Sequence, residues 1–258
     1  MALVSRWTAF LLAGSRPGGD PLAQSMMLEH KALIPVGGEP MVLRPLHALL
    51  NSPEVSNIIV LTQNPEDIRP VLPPDERVTI RPSQGTIAQT IAEQLADRRA
   101  AFPVLLTTAD HALLDPAMIA EFTSKAQGAD LAIAVVESKP LLARFPQSKR
   151  TWIGFRGGRY SGANLFSFGS ERALPAVDRW SAVEQARKKG WRVLAALGPT
   201  LLLGAVLKLR TIHQSAASIG GKLGIDLRIV EMSNPIAAID VDKAEDHALA
   251  EAIIAGKA

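Results

Sequence analysis

The chain has 258 residues, 47% of them hydrophobic, enough for one substantial α/β core. Its formal charge of +3 does not suggest the dense basic stripe that binds nucleic acid, and the absence of cysteine excludes disulfides and thiolate metal sites. The apolar start, Ala9 to Ala13, is too short for a secretory leader and runs straight into glycine, so the expectation is a buried first strand and a cytoplasmic protein.

In chain order, Trp7 to Ala13 forms a short apolar strand ending at Gly14, followed by a loop rich in glycine and proline up to Asp20. Met41 to Leu50 has helical periodicity, with Pro45 tolerable only near the first turn. Asn57 to Leu61, Val104 to Thr108 and Leu131 to Val136 are continuous apolar runs, the pattern of strands buried on both faces. Thr86 to Arg98 is helical. From Thr151 the pattern changes: Trp152 to Phe155, Gly157-Gly158 and Tyr160 to Phe168 predict a β-hairpin turning at the two glycines. Helix follows from about Ser170 to Gly190 and, less regularly, from Leu197 to Ile219. Leu227 to Val230 and Ile236 to Ile239 read as late strands, and Ala244 to Ile254 as a closing helix. With no repeat, low-complexity segment or linker, the expectation is one α/β domain. It is a doubly wound, mostly parallel, Rossmann-like sheet with an added hairpin and helical region.

The first residues with chemistry to offer are Leu12, Ala13, Gly14 and Ser15, with Gly18 and Gly19 after them. Glycines let backbone N–H groups approach a phosphate chain, and such groups form a nest for anions. Arg16 adds a fixed charge with bidentate geometry. The loop fits neither the dinucleotide fingerprint nor the P-loop, and an ordinary surface turn is the competing reading. Asp110 directly follows a buried strand, which puts it at the carboxyl edge of the sheet, where open α/β sheets bind ligands. His111 and His213 stand alone, without metal-ligand spacing, and a structural role is expected for both.

His30-Lys-Ala-Leu-Ile-Pro-Val-Gly-Gly-Glu-Pro-Met41, taken with Leu12-Ala-Gly14, resembles the signature of the MobA-like NTP transferases and their sugar-phosphate relatives. The resemblance implies a GT-A-type nucleotidyltransferase fold and transfer of a nucleotide from an NTP to a phosphorylated small molecule, with release of pyrophosphate. Lys31 matches the lysine that contacts the phosphates in that family. Ser83, Gln84 and Gly85 stand where the family reads its base, although a helix N-terminus capped by Ser83 would also explain them. Asp110 looks like the family's metal ligand. Ile239-Asp-Val-Asp-Lys-Ala-Glu-Asp246 resembles its late acidic motif, with Asp242 favoured over Asp240 because alternate residues of a strand face opposite ways. Asp242 as a helix N-cap, with Glu245 closing a capping box, fits the same spacing. Magnesium suits such a pair of carboxylates plus substrate phosphates.

Lys149, Arg150, Gly162 and Asn164 flank the hairpin and are the expected acceptor-binding residues. The NTP-binding part would then span about 1–137, the acceptor hairpin and helical insertion about 138–232, and the closing metal strand and helix about 233–258. The chain departs from the family pattern at Ser15 in place of glycine and in the insertion Pro21 to Glu29. It departs again at Lys243-Ala244 in place of Thr-Pro. Arg16 is taken as the stand-in for the family's missing arginine. Two alternatives stand: a metal-dependent glycosyltransferase, disfavoured because Asp110-His111-Ala112 is not Asp-x-Asp, and a non-catalytic nucleotide-binding protein. The stretch Leu197 to Ile212 is too short and too interrupted to span a bilayer, which takes about 20 apolar residues. Burial in a monomer or homodimer is the expectation for it, ahead of contact with a membrane surface.

Overall fold

The computed structural model of the protein describes residues 6–15, 18–97, 102–186 (backbone only over 181–186) and 209–258. Its centre is an eight-stranded sheet. Seven strands run in the order β10 (Leu227–Glu231), β7 (Leu131–Glu137), β9 (Gly158–Phe168), β6 (Val104–Thr108), β1 (Trp7–Leu12), β4 (Val55–Thr62) and β5 (Val78–Pro82). The eighth, β8 (Ile153–Phe155), pairs with β9. β1 is parallel to both β4 and β6, as the continuous apolar runs predict, and β4 is parallel to β5 and β10 to β7; β5, mixed in polarity, is not among the expected strands. β9 alone breaks the rule among these seven, lying antiparallel between β6 and β7.

Alternate residues of β1 feed two cores, which is what a doubly wound sheet requires. Ala9 and Leu11 face the larger core, packed with Leu46 and Leu49 of α2 (Leu43–Leu50) and with Met118 and Phe122 of α5 (Pro116–Ala126). Phe10 faces the smaller one, with Ile91 and Leu95 of α4 (Ile87–Ala96) and Val177 of α7 (Leu174–Ala186). Short helices α1 (Pro21–Ser25), α3 (Pro65–Ile68) and α6 (Ser138–Arg144) fill connections, and α8 (Ile212–Leu223) and α9 (Ala244–Ile254) complete the chain. A two-stranded ribbon, β2 (Pro35–Val36) with β3 (Glu39–Pro40), turns through Gly37 and Gly38, whose φ of +64° and +83° only glycine adopts readily.

Several local expectations are corrected. Ile236 to Ile239 is no strand: Pro235–Ala238 forms a 3₁₀ turn, with the Asn234 side chain accepting from the Ile236 N–H. The hairpin turns at Arg156 and Gly157, because Gly158 already pairs with Phe155. α4 is capped by Thr86 in a capping box with Gln89, so Ser83 is not the cap. α8 begins at Ile212 with Thr211 as its cap, and positions 197–208 of the apolar stretch lie outside the described residues. Among the described residues, no helix is long and apolar enough to cross a membrane.

Candidate active site

The carboxyl ends of the parallel strands deliver the site. β1 ends at Leu12, and the Ala13 N–H donates to the Leu61 carbonyl while the Ala109 N–H donates to that of Leu12, so three strand ends are tied together. β6 ends at Thr108, and its hydroxyl donates to Asp110 Oδ1 at 2.5 Å, fixing the carboxylate at the rim. Lys31 opens a 3₁₀ turn, Lys31–Leu33, pinned by Val42 N–H on the Ala32 carbonyl and Met41 N–H on that of Ile34. The closing helix α9 clamps the ribbon beyond it: Glu251 accepts from the Gly37 N–H at 2.7 Å, and His247 Nε2 lies 2.7 Å from the Pro35 carbonyl. The Val241 N–H donates to the Asp110 carbonyl at 2.9 Å, which brings the late acidic segment to the same rim.

Three residues far apart in sequence therefore converge. Lys31 Nζ donates to Asp110 Oδ2 at 2.7 Å and to Asp242 Oδ1 at 2.5 Å. Burial pulls the Lys31 ammonium down, but the Asp110 and Asp242 carboxylates outweigh it and leave its pKa above the ordinary lysine value. Asp242 is not a helix cap. Lys243 holds the N-cap position of α9 and offers no side-chain bond there. Nor is Asp242 on a strand, yet it and Asp240 still diverge: Asp240 pairs with the Arg150 guanidinium and accepts from Asn164 Nδ2 at 3.2 Å.

The profile of the MobA-like NTP transferase domain matches residues 11–201, most of the chain. The chain belongs to the MobA-like NTP transferase family. It is a nucleotidyltransferase, an enzyme that draws on an NTP. No curated protein matches the sequence of this transferase. Solved structures do. A hypothetical transferase from Thermus thermophilus is 27% identical with a TM-score of 0.80, over 94% of this chain and 99% of that one. The CMP:2-keto-3-deoxy-manno-octonic acid synthetase complexed with CTP shares the fold at 12% identity and a TM-score of 0.61, over 98% of this chain and 100% of its own. The 4-diphosphocytidyl-2C-methyl-D-erythritol synthase from Anaerococcus prevotii does so at 12% and 0.60, over 98% and 99%.

The transferase's glycine loop leaves β1, whose last residue Leu12 pairs with Thr108 of β6, two positions before Asp110. Gly14 is exposed, and a Cβ there would meet the end of the Gln63 side chain at 2.8 Å, so that side chain would have to shift. Gly18 and Gly19 take φ of +90° and +84°, and Asp20 closes the loop by capping α1. Arg16 lies outside the described residues. Ser83 is buried, donating its N–H to the Thr62 carbonyl, while Gln84 and Gly85 are exposed before α4. Lys149 and Gly162 are exposed, with Gly162 opposite Val135 on β7. Asn164 takes φ +46°, in the left-handed region that asparagine tolerates best, beside a register shift in the β7–β9 pairing. Arg150 is withdrawn into the protein, donating to the Asp240 carbonyl at 2.9 Å and to Asp246 Oδ1 at 3.0 Å.

Sequence reasoning passed over three residues here, Gln63, Thr108 and His30. Gln63 Oε1 accepts the Ser15 N–H at 2.8 Å, and the rule that singled out Asp110 would have found it, because Gln63 directly follows β4 at the same sheet edge. Thr108 holds Asp110. The buried His30 lies 3.5 Å from Ser15 Oγ through Nδ1 and 2.8 Å from Asp67 Oδ2 through Nε2, so it braces the loop from beneath. His111 is wholly buried, its pKa pushed down to about 4 by that burial against the opposing pull of Asp110, and its Nδ1 lies 3.3 Å from Thr107 Oγ1. That is the structural placement expected of it.

Proposed function

We propose that the transferase moves a nucleotidyl group from an NTP to a phosphorylated small molecule and releases pyrophosphate, with Mg2+ held by Asp110 and Asp242. The observation that carries this is the convergence of Lys31, Asp110 and Asp242 on one point at the carboxyl rim, next to the glycine loop. The donor set fits magnesium, which takes one or two carboxylates and completes its shell with water and substrate phosphates. When bound, the ion supplies charge neutralisation between two anionic reactants.

The chain's own residues do the rest. The Gly14 amide, with Ser15, Gly18, Gly19 and Arg16, receives the triphosphate. Ser83, Gln84 and Gly85 face the base. An acceptor phosphate oxygen attacks the α-phosphorus in line as the bond to the bridging oxygen of pyrophosphate breaks, and Lys31 stabilises the charge gathering on that leaving group. Lys149, Gly162 and Asn164 border the acceptor side. Arg150 acts by holding Asp240 and Asp246 in place. Two similar structures carry cytidylyltransferase chemistry in their names, so CTP is the first NTP to try. The experiment is a pyrophosphate-release assay with the four NTPs and a panel of phosphorylated acceptors, after a thermal-shift screen with Mg2+. An NTP at 100 times its dissociation constant stabilises the fold by about 2.7 kcal/mol. Asp110→Asn should fold normally and lose nearly all release. Wild-type turnover in that variant across a magnesium titration would refute the assignment.

A further inference from the structure

Two carboxylates suited to a divalent ion here already share a cation. The Lys31 ammonium reaches Asp110 Oδ2 at 2.7 Å and Asp242 Oδ1 at 2.5 Å, and its side chain is only 11% exposed. The other Asp110 oxygen is taken by the Thr108 hydroxyl, so Lys31 and a metal would draw on the same face of that carboxylate. The lysine's backbone is fixed by its 3₁₀ turn and by the ribbon that α9 clamps. The four-carbon stem above it is intrinsically flexible, with three donors at its tip. A divalent ion approaching the pair alone meets an ammonium in its place and is repelled by it. It gains the site only when the ammonium finds another anion nearby, and the neighbouring loop is built to present one.

We propose that Lys31 is an exchangeable counter-ion for the Asp110–Asp242 pair, so that metal loads together with the triphosphate that takes the ammonium over. This rests on the metal and triphosphate roles given under the proposed function. The arrangement offsets part of the carboxylates' charge in the empty enzyme and couples two ligands through one side chain. By linkage, metal and triphosphate then tighten each other by the same factor.

The test is Mn2+ titration of the full chain, followed by electron paramagnetic resonance, without and with saturating inorganic pyrophosphate, free Mn2+ being corrected for its soluble pyrophosphate complex. Wild type should bind Mn2+ alone weakly and roughly tenfold or more tightly with pyrophosphate. Lys31→Gln should bind Mn2+ alone roughly tenfold more tightly than wild type and lose most of the coupling. Lys31→Arg keeps the charge and grips the carboxylates with a bidentate fork, so it should hold Mn2+ more weakly than wild type even with pyrophosphate, and it decides the matter if the glutamine variant does not fold. Equal affinity of Lys31→Gln and wild type for Mn2+ alone overturns the proposal, as does a Lys31→Arg protein indistinguishable from wild type. Mn2+ binding undiminished in Asp110→Asn overturns both this and the metal assignment. The expected Mn2+ pattern without pyrophosphate release from any NTP would leave the exchange standing and remove the transferase reaction.

Discussion

Arg150 offers the sharpest separation of a structural from a ligand-binding role. Its side chain is only 8% exposed and is shared between Asp240 and Asp246, which keep 22% and 15% of theirs. Arg150→Met preserves the stem and removes the charge, leaving two partly covered carboxylates beside Asp242 and Asp110. Breaking a buried pair costs about 3–5 kcal/mol, and the residual exposure of both aspartates places this case near the lower end. At about 2–4 °C per kcal/mol for a protein of this size, melting should fall by about 6–12 °C. Circular dichroism melts of Arg150→Met, Asp246→Asn and the double variant give the coupling directly, and it should be at least about 1 kcal/mol. An unchanged melting temperature with a raised acceptor KM would refute the argument and return Arg150 to the acceptor.

Two further outcomes follow from the opposite edge of the sheet. A Cβ on Gly169 would lie 2.0 Å from the Ala129 carbonyl oxygen, and relief would break the Gly169 N–H bond to Asp130 and disturb those of Asp130 and Leu131 to Asp226. Gly169→Ala should therefore cost about 3 kcal/mol in urea unfolding, and a change under about 1 kcal/mol would show that the clash is relieved cheaply. Asp130 is held below the usual carboxylate range by the Asp226 N–H first, helped by Ser170 and Arg172. Its folded pKa being depressed, this stability is present above the unfolded value near 3.8 and is lost as pH falls through the folded one. The stability gap between wild type and Asp130→Asn should accordingly be full at pH 7 and shrink below about pH 4, whereas a constant gap would refute it.

The parallel sheet was legible because buried strands leave uninterrupted apolar runs, and the alternation with helices orders them. Asp110 was legible for the same reason, as the first carboxylate past such a run. What escaped were features set by tertiary contact. Pro235–Ala238 has a strand's composition, but Asn234 caps it as a 3₁₀ turn. Asp242 obeys the spacing of a capping box, and only the arrival of Lys31 from 211 residues earlier takes its carboxylate elsewhere. Arg150 looks like a surface donor in sequence because its partners Asp240 and Asp246 lie 90 and 96 residues away. His30 acts on Ser15 from 15 positions off, and no local pattern announces it, whereas the position of Gln63 just past β4 was a signal left unused.

The reach of the Lys31 ion pairs has a consequence for how the enzyme comes into being. Position 110 follows 31 by 79 residues, whereas 242 follows it by 211. Domains build up from the N-terminus at about 5–20 residues per second, so roughly ten seconds or more of synthesis separate the first glycine loop from the carboxylate that completes the site. During that interval a nascent chain carries Lys31 and Asp110 without Asp242. Premature termination before Asp242 would therefore leave Lys31 with Asp110 alone, and on the proposed metal role such fragments should release no pyrophosphate.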